Sequence, residues 1–312
     1  MSLADRNVDP EPVALVVVSP VRDEVASLAL TAASLLAQSE PPAAWVVVDD
    51  GSTDGTWELI QELAPRVPGL RSVRLGRKGD RAPGPSVVRA FQAGLERLAD
   101  LPWSLVGKLD GDVLLPGDYY AEVRRAFARD ASLGIASGVC LAHRGRGRSD
   151  RFRPEPQAPF HTRGPCKVWR RECLAAIGGL RPVLGWDGLD GYEARRLGWR
   201  TRGLSGLHAL HLRPTHAGDG PLGGGLRAGR GAWQQHYHPA YLLARALAMG
   251  LRPPHLLGGL GLLLGFLGAA LGGAPRELPE PLVAHIRAEQ RARLGRLGLR
   301  WPGRGGAGQG DT

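Results

Sequence analysis

The stretch Ala44–Leu63, AWVVVDDGSTDGTWELIQEL, decides the fold. Its β-branched apolar run meets no charge until Asp49, which reads as a strand buried on both faces of a sheet. The cluster GSTDGT then opens a helical WELIQEL whose start Ser52, Thr53 or Asp54 could cap. Upstream, Val13–Val18 is a second such run, ended by Ser19-Pro20 and followed by helical spacing over Asp23–Gln38. Downstream come a strand at Arg71–Leu75, a Gly/Pro-rich loop at Gly76–Ser86, a helix over Val87–Asp100 and a strand in WSLVGKLD. This β-α alternation predicts an α/β fold, Rossmann-like, with a mostly parallel sheet flanked by helices. In open sheets of that kind ligands bind outside the carboxyl ends of the strands, where Asp49-Asp50 and Asp110-Gly111-Asp112 both fall.

Composition bounds the reading. With 312 residues, 43% hydrophobic and 22% charged, the chain can bury a sizeable core. Its net charge of +10 is almost wholly arginine, since the lysines are Lys78, Lys108 and Lys167. That charge suits a nucleic acid, an anionic membrane or a phosphorylated substrate, and equally a solvated surface. Cys140, Cys166 and Cys173 show no CxxC spacing, so reduced thiols in a cytoplasmic protein are expected rather than a disulfide framework or zinc site. MSLADRNVDPEP places acids ahead of the first apolar run, so no export signal is expected there. Further helix and strand signals follow at Asp118–Asp130 and Leu133–Val139, and the arginine-rich His143–Pro159 is expected to be a mobile loop.

Asp110 and Asp112 flank a glycine that lets the backbone approach closely, so both carboxylates can turn toward one point. Hard oxygen ligands gather Mg²⁺ or Mn²⁺, which keep several waters and are completed by substrate phosphates. The acidic pair at the neighbouring strand end, Asp49-Asp50, can accept from a base N–H or a ribose hydroxyl.

SPVRDE (Ser19–Glu24), AQSEPPAAWVVVDDGSTDGT (Ala37–Thr56) and KLDGDVLLPGDYY (Lys108–Tyr120), in this order and spacing, resemble family 2 glycosyltransferases of the GT-A fold. The resemblance extends over Val13 to Ser205. It implies a nucleoside-diphosphate-sugar donor, UDP-, GDP- or dTDP-linked, with Pro20, Arg22 and Glu24 on the donor side and Asp50 at the nucleobase. Asp110 and Asp112 would then serve ribose and metal; Arg81 and Arg89, close to the site in chain order, either share the charge of the departing diphosphate or are solvated at the surface. Among His208, His211 and His216 the resemblance points to His211, just before LRPT, as a nitrogen ligand. The acceptor base falls on Asp187, which stands eleven positions before the helix-closing Gly198 as in the family. Asp190, one turn on, is the substitute, and Glu193 lies near. Trp186 stands where the family commonly has Glu, and Asp23 where it has Asn. Gln234, Gln235 and Gln290 lack the Arg-Trp of the processive QxxRW signature, so transfer of one sugar is expected. GWDGLD and HLRPT are similar to a subset linked to bacterial cell-surface polysaccharide assembly, which implies a saccharide or lipid-linked acceptor and no nucleic-acid partner.

Trp233, His236, Tyr237 and His238 either line an acceptor pocket or pack on the core, and packing is favoured. Leu256–Ala274 is uncharged and would span about 28 Å as a helix, about one hydrocarbon thickness. Its glycines and the arginines on either side favour a helix lying against the inner membrane leaflet. The expected organisation is a flexible 1–11, a catalytic domain over 12–250, an apolar and basic helical segment over 251–300 and a disordered 301–312. Two other readings stay open: a nucleotidyltransferase built on the same acids, and a non-enzymatic basic module for membrane or RNA.

Overall fold

Along β1 (Leu15–Val21) successive side chains enter opposite cores: Leu15 and Val17 join one buried cluster, Val16 and Val18 the other. The same division separates Trp45 and Val47 from Val46 and Val48 on β2 (Ala44–Asp49), a period of two in a sheet covered on both faces. The computed structural model describes residues 14–76, 84–143, 152–155, 158–213, 220–251 and 255–296. The chain divides into two compact units, Met1–Ala217 and Gly218–Thr312.

In the first unit β1 and β2 alternate with α1 (Leu28–Leu36) and α2 (Thr56–Leu63), followed by β3 (Leu70–Arg74), α3 (Pro85–Glu96) and β4 (Leu105–Leu109). Then come β5 (Val113–Leu114), α4 (Tyr119–Arg129), β6 (Leu133–His143), β7 (Phe152–Pro154) and β8 (Cys166–Arg170). The unit ends with α5 (Arg171–Ala176), α6 (Trp186–Arg196) and β9 (Arg200–His211). The sheet runs β3-β2-β1-β4-β8-β6-β9-β5, with β7 beside β6. The parallel sheet expected from the alternation is present as β3-β2-β1-β4, and β6 and β9 are parallel as well. β8 runs antiparallel to both β4 and β6 and joins these two parallel parts.

Three local expectations need correction. The helix expected from Asp23 begins only at Leu28, because Asp23 has φ 56° and the backbone N–H groups of Asp23, Glu24 and Val25 donate to Ser52 Oγ, Thr56 Oγ1 and Asp54 Oδ2. GSTDGT therefore clamps the loop after β1; of its expected caps Asp54 does hold the helix start, its Oδ1 accepting from Thr56 N–H at 3.0 Å, while the N-cap position itself is Gly55. Residues 152–154 of the expected mobile loop form β7; 144–151 and 156–157 lie outside the described residues, as do the flexible 1–11 and the disordered 301–312 of the sequence reading. Cys140, Cys166 and Cys173 are buried free thiols.

The second unit consists of α7 (Gly220–Gln234), α8 (Pro239–Gly250), α9 (Leu257–Leu271) and α10 (Glu280–Arg296). Glycine is a poor helix former, yet α7 and α9 are rich in it because their backbones touch. A Cβ on Gly229 would lie 2.1 Å from Leu262 O, and one on Gly265 2.1 Å from Leu226 O. Such small-residue contacts let helices approach without intervening side chains. The favoured packing of the aromatic cluster is seen: Trp233 stacks edge-on to Phe266 at 5.3 Å and donates its indole N–H to Ala274 O, while Tyr237 lies in a buried cluster with Leu242 and Leu262. Among the described residues no helix is long and apolar enough to cross a membrane.

Gly265→Ala should destabilise the second unit by about 2 kcal/mol or more, because its methyl meets backbone that cannot yield. Gly268→Ala, where nothing lies within 4 Å, should be neutral or stabilise by up to about 1 kcal/mol. Urea unfolding of the two variants checks the contrast.

Candidate active site

The loop after β4 is pressed against β1. A Cβ on Gly111 would lie 2.9 Å from Val21 Cγ1 and 3.2 Å from Glu24 Cγ, so the residue between the two aspartates has to be glycine. Thr31 Oγ1 donates to Gly111 O at 2.9 Å and fixes the loop from the α1 side. Asp110 N–H donates to Pro165 O, and the Asp110 carboxylate accepts from Lys108, a lysine 4% exposed in β4.

The two-residue strand β5 then pairs antiparallel with the end of β9, with Val113 opposite His211 and Leu212 N–H donating to Asp112 O at 3.0 Å. This pairing brings the imidazole to the aspartates from about a hundred residues away. One ligand atom each from Asp110, Asp112 and His211 lies within 4.8 Å of the others. His211 Nε2 is 3.4 Å from Asp112 Oδ1, and its Nδ1 is buried with no hydrogen-bond partner among the described residues. Burial pushes the Asp112 carboxyl up, but the hydrogen bond and charge of His211, with Arg213, outweigh it and hold the group below the usual carboxylate range. Two carboxylates with an imidazole fit Mn²⁺ well and Mg²⁺ acceptably, since oxygen ligands suit both and imidazole suits transition metals.

Glu24 closes this cluster. Arg213 Nε donates to Asp112 Oδ2 at 2.9 Å, and the same guanidinium donates to Glu24 Oε1. Ser27 Oγ donates to the other Glu24 oxygen at 2.8 Å. Burial, then the charge of Asp112, raises the Glu24 carboxyl above its ordinary value. Pro20 is a half-buried residue of β1, and Arg22 is 3.9 Å from Asp23. Asp50 is buried just past β2, whereas Asp49 is taken up structurally, accepting from Ser52 N–H at 3.0 Å and facing Arg74 at 3.3 Å. Arg89 lies on α3, with Nε buried and lacking a hydrogen-bond partner among the described residues. His208 is exposed, away from the aspartates' buried side of β9. Arg81 and His216 lie outside the described residues.

Asp187 stands half-buried in the first turn of α6. Its carboxylate borders Gly164, where a Cβ would lie 3.3 Å from Asp187 Oδ2, and Gly164 O accepts from the same Lys108 that holds Asp110. Asp187 and the aspartate pair therefore share one neighbourhood. Asp190, expected as the substitute for Asp187, lies in different surroundings. It is fully enclosed: Lys167 Nζ contacts both its oxygens at 3.0 Å, Trp169 Nε1 donates at 2.9 Å and Gly191 N–H at 2.7 Å. Burial raises its carboxyl against the pull of Lys167. Glu193 is likewise engaged, by Arg196 at 2.9 Å. Lys167 also donates to Asp187 O at 2.6 Å, so the Lys167–Asp190 pair holds the turn that carries Asp187.

Trp186, the departure from the family pattern, lies between the two lysines, 5.4 Å from Lys108 Nζ and 5.5 Å from Lys167 Nζ. Such cation–π contacts stabilise desolvated ammonium groups. Lys108, Lys167 and Arg213 escaped the sequence reading as site residues; the signal was present in the scarcity of lysine and in the HLRPT motif itself.

Residues 16–169 match the family model described as Glycosyl transferase family 2. The fold is similar to that of PcManGT, a mannosyltransferase from Pyrobaculum calidifontis solved with GDP-Man and Mn²⁺, at a TM-score of 0.55 and 19% identity, covering 94% of this chain and 86% of that one. It is similar to S. aureus TarS 1–349 solved with UDP-GlcNAc, at a TM-score of 0.53 and 17% identity over 92% of this chain and 88% of that one. GalNAc-T7 with UDP, GalNAc and Mn²⁺ is similar at a TM-score of 0.53 and 16% identity, over 67% of this chain and 45% of that one. No curated protein matches the chain.

Lys167→Met should cost about 3–5 kcal/mol in urea unfolding, because it strands Asp190 in a buried site. The double variant Lys167→Met/Asp190→Leu should recover much of that loss. A single variant as stable as the parent would contradict the buried pair.

Proposed function

This chain belongs to glycosyl transferase family 2 and is a glycosyltransferase of the GT-A fold, and we propose that it moves one sugar, with inversion, from a nucleoside-diphosphate sugar to a hydroxyl acceptor in a metal-dependent reaction. The observation that carries this reading is the group Asp110, Asp112 and His211 beyond β4 and β9, with Asp187 bordering the same neighbourhood across Gly164. A divalent cation held by those three side chains, Mg²⁺ or Mn²⁺, supplies Lewis-acid stabilisation of the charge that develops on the departing diphosphate.

The remaining work belongs to the chain's own groups. Asp50, buried at the end of β2, accepts from the nucleobase, and Asp110 accepts from a ribose hydroxyl. Pro20, Arg22 and Glu24 border the donor at the end of β1 and just past it, and Arg81 meets the diphosphate. Lys108 orients the Asp110 carboxylate, while Arg213 holds Asp112 and Glu24 in register. Asp187 takes the proton of the acceptor hydroxyl as that oxygen attacks the anomeric carbon opposite the nucleotide, so one displacement inverts the configuration. Lys167 fixes the backbone of Asp187 without occupying its carboxylate.

The donor is a UDP-, GDP- or dTDP-sugar; the similar solved structures carry GDP-Man, UDP with GalNAc, or UDP-GlcNAc. The acceptor is a saccharide or lipid-linked saccharide of cell-surface polysaccharide or glycolipid synthesis. The proposed site of action is the cytoplasm, at the inner face of the membrane.

A thermal-shift panel of nucleotide sugars with and without Mn²⁺ identifies the donor, because a ligand that binds only the folded state raises its stability. With that donor, Asp112→Ala should abolish the metal-dependent shift; unchanged affinity and turnover would sink the metal role. Asp187→Asn should leave the shift nearly intact and lower turnover by roughly 10²-fold or more, since an amide cannot accept the proton.

A further inference from the structure

The helix α9, LGGLGLLLGFLGAAL, contains no polar side chain, yet one face of it is uncovered. Leu257, Leu260, Leu264, Leu267 and Leu271 repeat at intervals of three and four, which aligns them along one side of a helix, and they are between 41% and 90% exposed. The opposite side is consumed by backbone contact: Gly261 and Gly265 abut α7, and Gly259 abuts Ala246 of α8. On α8, Leu247 is 67% exposed as well. Leucines exposed singly occur elsewhere, as at Leu30 and Leu197, but five in register along one helix make a continuous apolar surface, which marks an interaction site.

Three observations say what covers it. Fifteen residues make a helix about 22 Å long, short of a hydrocarbon core, so α9 cannot span a bilayer but can lie in its surface. A leucine stripe meant for a second helix carries charged residues at its flanks to set register, and α9 offers only Gly, Ala, Leu and Phe there. Residues 218–312 hold eleven arginines against five acidic residues, a charge complementary to anionic headgroups.

We propose that the leucine face of α9 docks in the plane of an anionic lipid bilayer, with the arginines of the second unit at the headgroups. This names the surface by which the enzyme reaches an acceptor at the membrane, and it rests on that part of the functional reading. It does not depend on the donor chemistry, which resides in the first unit. Apolar insertion and electrostatic attraction add at such a surface, so binding strengthens with anionic lipid and weakens with salt.

Flotation of the full chain with phosphatidylcholine vesicles, with and without phosphatidylglycerol, tests the proposal alongside the triple variant Leu260→Gln/Leu264→Gln/Leu267→Gln. The parent should float with the anionic vesicles, and the variant, whose changes lie on an exposed face, should bind them about tenfold less. The variant should keep the parent's melting temperature and its Mn²⁺-dependent donor shift. Equal flotation of parent and variant, or no flotation of the parent, would overturn the proposal. So would a dimer of the parent in light scattering that the variant dissolves, which would give the face to a second copy of the chain. Flotation without any donor shift would leave the membrane face standing and remove the transferase chemistry proposed for the first unit.

Discussion

Glu24, Asp110 and Asp112 lie just past β1 and β4, Asp187 and Asp190 lie in the first turns of α6, and several of them are withdrawn from water. Carboxylates in such a place repel one another and lose hydration, so the fold must supply positive charge or the group must protonate. The chain supplies it at fixed points. Arg213 bridges Glu24 and Asp112, Lys108 holds Asp110, and Lys167 neutralises Asp190. Trp186 then lies against both ammonium groups, which gives a physical reason for an aromatic residue where the family commonly has an acid. Two of the chain's three lysines are committed to this purpose, and their rarity elsewhere makes that placement the more telling.

The site also depends on one short piece of sheet. β5 has two residues, yet its pairing with β9 sets Asp112 beside His211 and Arg213. Without it Asp110 and Asp112 would lack their neighbouring imidazole and the Glu24–Asp112 pair its bridging guanidinium. The β5–β9 pairing thus ties the last strand of the unit to the loop after β4.

Much of the frame was legible because its strands are apolar on both faces and end in clustered Gly, Ser and Asp, a pattern that few other structures generate. The aspartates at Asp110 and Asp112 were legible for the same local reason. His211 was found through resemblance, since no periodicity announces a two-residue strand. Lys108 and Lys167 were missed because a lone lysine in a strand ordinarily points to water. The sequence put Asp187 ahead of Asp190 through the family's spacing to Gly198; the enclosure of Asp190 by Lys167 and Trp169 adds a physical difference between the two. In the second unit, the glycines of α7 and α9 argue against helix by propensity, and tertiary packing overrides them because glycine is what the close approach requires.

The central claim is that Asp110, Asp112 and His211 hold a cation that seats the diphosphate of a sugar donor. Pulsed electron paramagnetic resonance of Mn²⁺ bound to the full chain with its nucleotide tests it most directly. The account predicts a coupling to one imidazole nitrogen, lost in His211→Ala, together with phosphorus coupling from the nucleotide. Bound Mn²⁺ that shows neither coupling, or an imidazole signal unchanged in that variant, would contradict it.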